Sequence, residues 1–376
     1  MSRRAELPQP EARRALRRML LDWYRREKRD LPWRASRDPY RVWISEAMLQ
    51  QTRVETVIGY YARFLERFPS VRALARAPTD AVLAAWSGLG YYRRARSLRE
   101  AARAVVDRHG GRFPREREAL LALPGIGAYT AGAIASIAFD RPEPLVDGNV
   151  ARVFSRLFAL DGAPDTAPQR ERLWSIAARL VPDRGAGEWN QALMELGALV
   201  CLPRAPACGR CPLATRCRAL AQGRVEELPH RGQRAEPIAV EAVVLVVRRG
   251  ERWLLERRPA RGRMAGLWQM PTIEGRRSGG ALFPRRPPAS IRTGGKLCEV
   301  RHTITRHRIR AVLRRGTLAS GRLAAPLAWV SGRDLDSLPL TGMTRKCLTA
   351  ILAAQPTASG AASLRSKSST RNRHNA

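Results

Sequence analysis

Lysine is almost missing from this chain, and the only four lysines are Lys28, Lys296, Lys346 and Lys367. No lysine lies between Lys28 and Lys296, so catalysis that needs a lysine amine is excluded from that long segment. Acidic residues are also scarce, since 33 aspartates and glutamates stand against 68 lysines and arginines, for a formal net charge of +35. A GC-rich genome can favour arginine over lysine, but it does not explain the shortage of acids. The excess of positive charge indicates a polyanionic partner, most simply nucleic acid.

Long apolar runs are absent as well. No stretch reaches the roughly 18 apolar residues of a membrane-spanning helix, and the N-terminal residues contain no apolar signal region. We therefore expect a protein without membrane contact, cytoplasmic and associated with the nucleoid of a bacterium. The 376 residues, of which 44% are hydrophobic, are enough for about two folded domains.

The pattern of apolar residues changes along the chain. The helical period dominates from about residue 11 to 220, as in the two stripes Val54, Val57, Ile58, Tyr61, Phe64, Leu65, Phe68 and Val150, Val153, Phe154, Leu157, Phe158. A β-rich run then begins at Ala242, a turn follows at Arg249 and Gly250, and Trp253–Glu256 is predicted to be the returning strand. We predict an α+β multidomain protein with an all-α region (1–225), a linker (226–236), an α/β domain (237–354) and a disordered tail (355–376).

Four of the six cysteines are crowded into 17 residues. They are Cys201, Cys208, Cys211 and Cys217, while Cys298 and Cys347 stand alone. Clustered cysteines in a cytosolic protein are typical of a metal site rather than of disulfides. The ligand type suits either zinc or an iron–sulfur cluster.

A turn rich in glycine lies at residues 123–130, with the letters L-P-G-I-G-A-Y-T. Gly125 and Gly127 permit positive φ and a close approach of the backbone to a ligand. A small-residue helix is predicted to follow at residues 131–139, so that backbone amides at its start could bind a DNA phosphate. The alternative is a plain turn between two core helices.

Two carboxylates lie in contrasting surroundings. Glu46 is placed at an apolar helix start among Trp43, Ile44 and Met48, so its pKa should rise and it could donate a proton near neutral pH. Asp147 precedes a helix predicted to begin near residue 150, whose dipole should keep it ionised. An acid and a charge stabiliser are the pair that glycosidic bond cleavage uses. Each could instead be a helix cap, and Asn149 is itself a good N-cap residue.

These motifs together resemble one known family. The cysteine spacing, the glycine-rich turn, V-W-I-S-E-A-M-L-Q-Q-T at residues 42–52 and L-V-D-G-N-V-A-R-V at residues 145–153 are similar to the MutY adenine DNA glycosylases of the helix-hairpin-helix superfamily, which includes endonuclease III. The resemblance implies a six-helix barrel at about 30–140 and a cluster domain built from 1–29 and 141–225. It implies a [4Fe-4S] cluster on the four clustered cysteines.

The resemblance also implies a substrate and a mechanism. The family acts, as a monomer, on double-stranded DNA and removes adenine mispaired with 8-oxoguanine or guanine, after the adenine has been flipped out of the stack. Glu46 would protonate adenine at N7 and later activate water, and Asp147 would stabilise the oxocarbenium-like sugar. The remaining roles would be positioning by Tyr129 and Asn149, and insertion into the duplex by Gln51 and Tyr91.

Tyr129 distinguishes two branches of the superfamily. Endonuclease III-like lyases resemble this hairpin but carry a lysine at that position, which forms a Schiff base with the sugar. With Tyr129 and no lysine nearby, the chain is predicted to be a monofunctional glycosylase. The alternatives are an endonuclease III-like lyase and a non-catalytic DNA-binding metal protein.

The second domain resembles the Nudix-like, 8-oxoguanine-reading domain of the same family, through G-L-W-Q-M-P at residues 266–271. A nucleotide-pool hydrolase would need a run of magnesium-binding glutamates after this motif, and only Glu274 is present. The family's lesion-reading Phe-Ser-His corresponds to Ile304, Thr305 and Arg306. Thr305 keeps a hydroxyl that could hydrogen-bond the oxidised base, while the aromatic ring and the histidine are replaced.

Overall fold

The computed structural model describes residues 9–230, 236–275, 291–319 and 325–353, together with residues 232 and 323. Clustering of contacts divides the chain into two compact units, Met1–Ala235 and Glu236–Ala376. The predicted disordered tail, residues 355–376, lies outside the described residues. In the described part of the chain, no helix is both long enough and apolar enough to cross a membrane.

The described residues of the first unit form twelve α-helices. They are α1 (Pro10–Glu27), α2 (Pro39–Leu49), α3 (Val54–Arg67), α4 (Val71–Arg76), α5 (Thr79–Ala85), α6 (Arg93–His109), α7 (Arg117–Leu121), α8 (Ala128–Ala133), α9 (Gly148–Leu157), α10 (Ala167–Leu180), α11 (Ala186–Leu199) and α12 (Arg218–Ala221). A π-helical turn, Ile134–Ala138, continues α8. The helical interpretation of this half is thus confirmed for the residues described.

The two predicted apolar stripes differ in how well they match the core. All five residues of the stripe on α9 and its C-cap are buried. On α3 the buried positions are Val57, Tyr61 and Phe64, but Ile58 is 39% exposed, so its placement on the buried face was wrong. Position 58 follows a buried residue directly and turns about 100° away from it.

One hydrophobic core joins α1 to α9, α10 and α11. Leu20 and Trp23 of α1 are buried with Phe154 of α9 and Trp189 of α11, and three of the clustered cysteines pack against the same core. Burial of these large side chains places the N-terminal helix beside the segment that ends in the cysteines, although more than a hundred residues separate them along the chain.

The described residues of the second unit form two four-stranded sheets and one α-helix. Its strands are β1 (Ile238–Val246), β2 (Arg248–Arg249), β3 (Arg252–Arg257), β4 (Trp268–Gln269), β5 (Thr272–Gly275), β6 (Ile291–Ile304), β7 (His307–Leu318) and β8 (Leu327–Ser331), and its helix is α13 (Gly342–Ala353). The order in the first sheet is β5-β1-β7-β6. In the second sheet β2, β4 and β8 all pair with β3, each of them antiparallel.

The predicted β-hairpin near residue 250 is only partly correct. The turn at Gly250 exists, but β3 returns against the two-residue strand β2, with Arg248 opposite Trp253. Strand β1 instead pairs in parallel with β7 and antiparallel with β5. After Val246 the chain passes from the first sheet to the second. The alternation of residues along one strand could not predict this, because the pairing of a strand depends on segments that are distant in sequence.

Candidate active site and cysteine centre

Glu46 lies in the last turn of α2, not at a helix start as predicted. Glu46 is only 5% exposed and lies among the buried apolar side chains of this helix. The pKa of Glu46 is raised from 4.5 to about 7. Burial is the largest cause of this net rise; the hydrogen bond from Tyr129 lowers the pKa, the negative charge of Asp147 raises it, and the charge of Arg34 lowers it. The predicted direction is confirmed, because a carboxylate removed from water is costly to ionise.

Tyr129 is brought against Glu46 by the first turn of α8. Its hydroxyl donates a hydrogen bond to Oε2 of Glu46 and lies 3.4 Å from Sδ of Met194 on α11. Burial and the two nearby carboxylates raise the pKa of Tyr129 well above 10. The phenol therefore keeps its proton at neutral pH and acts as a donor towards the carboxylate.

Asp147 is itself the N-cap of α9, which begins at Gly148, two residues before the predicted start near residue 150. Its Oδ1 accepts from the amide of Val150 at 2.7 Å, and its Oδ2 accepts from Nδ2 of Asn149 at 3.0 Å. The expectation that Asn149 could be the cap was wrong, and this residue instead holds the second oxygen of Asp147. A carboxylate at a helix start fills its lone pairs with such donors.

The pKa of Asp147 shifts in the direction opposite to the one expected from its position at a helix start. We expected the helix start to favour the charged form, and the bonds from Val150 and Asn149 do lower its pKa. Burial is the larger influence, however, and the net result is a raised pKa of Asp147. Burial is set by the packing of the whole unit, which the local sequence around a helix start does not reveal.

Arg152 links the residues that hold Asp147 to the segment that carries the clustered cysteines, and the sequence analysis assigned it no role. Its Nη2 donates to Oδ1 of Asn149 at 2.9 Å and to the carbonyl of Gly197 at 2.7 Å, and its Nε donates to the carbonyl of Cys201 at 2.7 Å. Gly197 allows α11 to pack closely against α9, because a Cβ at position 197 would lie 2.6 Å from Cβ of Asn149. The available signal was an arginine one helical turn after Asn149 in the quoted motif.

The four clustered cysteines surround one cavity of about 30 Å³, which Arg156 also lines. That volume exceeds the 10–15 Å³ or so that one water molecule needs. In the described part of the chain, no three His, Cys, Asp or Glu side chains are grouped as a single metal ion requires. Burial raises the pKa of Cys211 to about 11, so this thiol would stay protonated at neutral pH unless a metal displaced its proton.

Arg156 is a buried cation beside these thiols. It is 2% exposed, its Nη1 approaches Sγ of Cys201 at 3.4 Å, and it donates to the carbonyls of Leu202 at 2.6 Å and Leu228 at 2.8 Å. A guanidinium whose partners are neutral carbonyls still carries its full charge. The cavity is therefore suited to an anionic group, as a cluster held by four thiolates would be.

The glycine-rich turn is a true turn between α7 and α8, and its two glycines differ. Gly125 has φ +74°, and a Cβ there would lie 2.4 Å from Cβ of Ser97. Gly127 has φ −95° and is the N-cap of α8, so the expectation of positive φ was wrong at this position. Helix α8 also begins earlier than predicted, at Ala128.

Gln51 and Tyr91 lie on the rim of one cleft of about 640 Å³, which Gly125 and Thr130 also line. The backbone of Gln51 has φ +59° and that of Tyr91 has φ +47°, values that residues other than glycine rarely adopt. Tyr91 is also 47% exposed. Strained and exposed residues on a cleft are typical of ligand contacts, and the cleft has the volume of a small-molecule site.

Thr305 belongs to the second unit and stands in the tight turn between β6 and β7. Its φ is +51°, and its hydroxyl donates to the carbonyl of Ile304 at 2.7 Å. In the same unit, Glu274 lies on β5, where it pairs with Arg258 and Arg263.

Comparisons with known proteins agree with this architecture. The pattern of the HhH-GPD superfamily base excision DNA repair protein matches residues 44–179, and that of the NUDIX domain matches residues 242–350. An adenine DNA glycosylase of Rattus norvegicus is 42% identical to this chain, over a segment that covers 69% of this chain and 60% of the rat protein. One of Schizosaccharomyces pombe is 33% identical over 69% of both chains.

The helical unit also has a counterpart among solved structures. The structure of a thermostable thymine-DNA glycosylase is similar with a TM-score of 0.52 and 32% identity, over 56% of this chain and 98% of the other. The segment matched by the rat adenine DNA glycosylase spans about three fifths of that relative's length. The sequence identity, the two matched domains and the shared fold show that this chain belongs to the adenine DNA glycosylase family.

Proposed function

We propose that this chain is a monofunctional DNA glycosylase that removes adenine mispaired with 8-oxoguanine or guanine. The observation that carries the proposal is the pair formed by Glu46 and Tyr129: a buried carboxyl with a pKa of about 7 receives a hydrogen bond from a phenol. A carboxyl with this pKa is protonated in a large fraction of molecules at neutral pH and can act as a general acid. The relatives named adenine DNA glycosylase support the choice of base.

In the proposed reaction, adenine leaves the stack and enters the cleft, and Glu46 gives its proton to N7. The electrons of the N-glycosidic bond then pass to the base, which leaves neutral, while positive charge develops on the sugar. Asp147, held at both oxygens by Val150 and Asn149, faces that charge in its ionised form. Glu46, now a carboxylate, takes a proton from the water that adds to the sugar.

Strand cleavage is not part of this proposal. A lyase of this superfamily requires an amine nucleophile, and Tyr129 stands at the position where such enzymes carry lysine. A phenol with a pKa well above 10 donates a hydrogen bond and does not form a Schiff base. The product would be an intact strand with an abasic site.

We further propose that Cys201, Cys208, Cys211 and Cys217 hold a [4Fe-4S] cluster. When bound, the cluster would supply four strong bonds that close the loop of residues 201–217. Exposed arginines on this loop would then meet the DNA backbone, and no carboxylate among the described residues pairs with Arg204, Arg210 or Arg216. The amides around Gly125 would bind a second phosphate. The partner is a DNA duplex, bound by one copy of the chain.

The test of the activity uses a duplex with one adenine opposite 8-oxoguanine, incubated with the full chain and split into halves with and without hot alkali. We expect cleavage at the adenine only after alkali. Glu46→Gln should abolish base release, while Glu66→Gln, at an exposed position on α3, should not. Cleavage without alkali would establish a lyase. Tight binding without base release would establish a DNA-binding protein.

The test of the cluster is elemental analysis of the purified chain. We expect iron and acid-labile sulfide in equal amounts, lost in Cys211→Ser and retained in Cys298→Ser. Stoichiometric zinc without iron would contradict the cluster proposal.

A further inference from the structure

Arg94, in the first turn of α6, makes an unusual number of hydrogen bonds to backbone carbonyls. Its Nη1 donates to the carbonyls of Ala47 at 2.7 Å, Met48 at 3.0 Å and Gln50 at 2.6 Å. Its Nη2 donates to the carbonyl of Leu89 at 3.0 Å and approaches the carbonyl of Gly90 and Oγ1 of Thr52, both at 3.3 Å. One side chain thus holds two separate loops.

The first loop is the end of α2. The last carbonyls of a helix have no partner within the helix, and a cation placed there satisfies them and offsets the negative end of the dipole. The last of these carbonyls belongs to Gln50, the residue directly before Gln51. The second loop, Leu89 and Gly90, leads directly into Tyr91. The guanidinium therefore lies between the backbones of the two rim residues of the cleft.

The ring of Tyr91 is also held by Arg94. The guanidinium carbon lies 5.5 Å from the centre of the Tyr91 ring and 5.3 Å from that of Trp86, whose Nε1 donates to the carbonyl of Gly90 at 3.1 Å. Gln51 and Tyr91 both have positive φ, a conformation that persists only where surrounding contacts enforce it. For both residues, the contacts of the adjoining backbone include Arg94.

We propose that Arg94 is a positioning residue that sets the spacing of Gln51 and Tyr91, so that the two side chains enter the duplex together when adenine is extruded. This inference rests on the proposed function. It assigns Arg94 no contact with the base and no share in the proton transfer by Glu46.

The chemistry of arginine suits this task. Its planar fork presents several N–H groups in fixed directions, which lets one charge bind two loops at once. Lysine carries a single ammonium and cannot reproduce that geometry. Burial lowers the pKa of Arg94 to about 10, which still leaves it charged at neutral pH.

The experiment compares Arg94→Met and Arg94→Lys with Arg99→Met in the full, cluster-containing chain. Arg99 is a matched control, because it lies on the same helix and its Nε donates to the carbonyl of Ala77 at 2.6 Å, away from both rim loops. Single-turnover adenine release is measured on a duplex with adenine opposite 8-oxoguanine, and on the same adenine inside an unpaired bubble. The bubble needs no wedge, since its bases are already unstacked.

We expect both Arg94 variants to lose on the order of 100-fold in rate on the duplex, as small misplacements can cost, and to lose little on the bubble. Arg99→Met should stay near wild type on both substrates. The pH profile of the residual activity should match that of wild type, because Glu46 is not disturbed. An equal loss on duplex and bubble, or no loss on the duplex, would overturn the proposal.

A second readout separates this proposal from the activity itself. In the Glu46→Gln background, 2-aminopurine placed at the target position reports base unstacking by fluorescence. We expect the rise in fluorescence on binding to be lost when Arg94→Met is added and kept when Arg99→Met is added. If wild type released no adenine, the proposed function would fail, while this fluorescence would still decide the role of Arg94.

Discussion

The hydroxyl of the partly buried Tyr129 donates a hydrogen bond to the carboxyl of Glu46, which is buried inside the helical unit. This bond stabilises the carboxylate, while burial stabilises the neutral acid, and burial prevails to give a pKa of about 7. The balance between the two can be shifted by single substitutions. Consequences for activity and for stability follow from it.

The first prediction concerns Tyr129→Phe. Removing the donor removes a contact that lowers the pKa of Glu46, so the alkaline limb of the pH–rate profile should move upward by about one pH unit. Wild type should lose activity as pH rises through about 7. Single-turnover adenine release measured across pH tests this, and an alkaline limb that stays in place or moves to lower pH would contradict it.

The second prediction is that Glu46→Gln stabilises the fold. Because the folded pKa of Glu46 lies above its unfolded value of 4.5, its contribution to stability is favourable below 4.5 and is lost as pH rises to about 7. Glutamine mimics the neutral acid, so above pH 7 the variant should be more stable by about 3 kcal/mol, and below 4.5 the difference should vanish. Thermal midpoints at several pH values measure this. A constant difference across pH would refute the explanation.

The third prediction concerns the buried carboxylate of Glu195, which pairs with Arg29 and Arg34, each at 2.8 Å. Burial alone would raise its pKa, but the bonds from both arginines lower it to about 2. Its stabilisation is therefore present above pH 4.5 and lost as pH falls towards 2, amounting to about 3 kcal/mol.

Glu195→Gln should destabilise the chain at neutral pH by a few kcal/mol, because two partly buried guanidinium groups lose their buried counter-charge. The difference from wild type should narrow as the solution is acidified below pH 4.5. Thermal midpoints across acidic pH measure the effect, with Glu66→Gln as the exposed control. A gap that stays constant into acid would show that ionisation of Glu195 is not its cause.

The fourth prediction concerns Arg152→Met. Losing the bonds to Asn149 and to the carbonyl of Cys201 should reduce adenine release and iron content together, by about 10- to 100-fold in activity or metal affinity. Arg17→Met is the matched control, since Arg17 also donates to two carbonyls, those of Leu180 and Val181, in the same unit. Reduced activity with full iron content, or the reverse, would show that Arg152 serves one centre only.

Short-range features of the chain could be predicted without coordinates. The helical period marked the buried face of α9, the apolar neighbours of Glu46 indicated its raised pKa, and the spacing of four cysteines predicted a shared centre. The resemblance placed Tyr129 beside Glu46 and Asn149 beside Asp147, and the hydrogen bonds agree with both placements. Each of these features depends on residues close together in sequence or on a recurring motif.

Other features were decided only when distant segments packed together. The pKa of Asp147 rises because the packing of the whole unit buries it. Strand β1 pairs with β7, whose residues lie about seventy positions further along the chain, as Ile238 does with His307. Arg94 and Arg156 carry no local signal of their roles in a chain so rich in arginine, and Arg152 is marked only by its position one helical turn after Asn149. Their long side chains contact carbonyl oxygens and a sulfur atom that are distant in sequence and are brought close by tertiary folding. Burial and such contacts are properties of the packed structure, not of the local sequence.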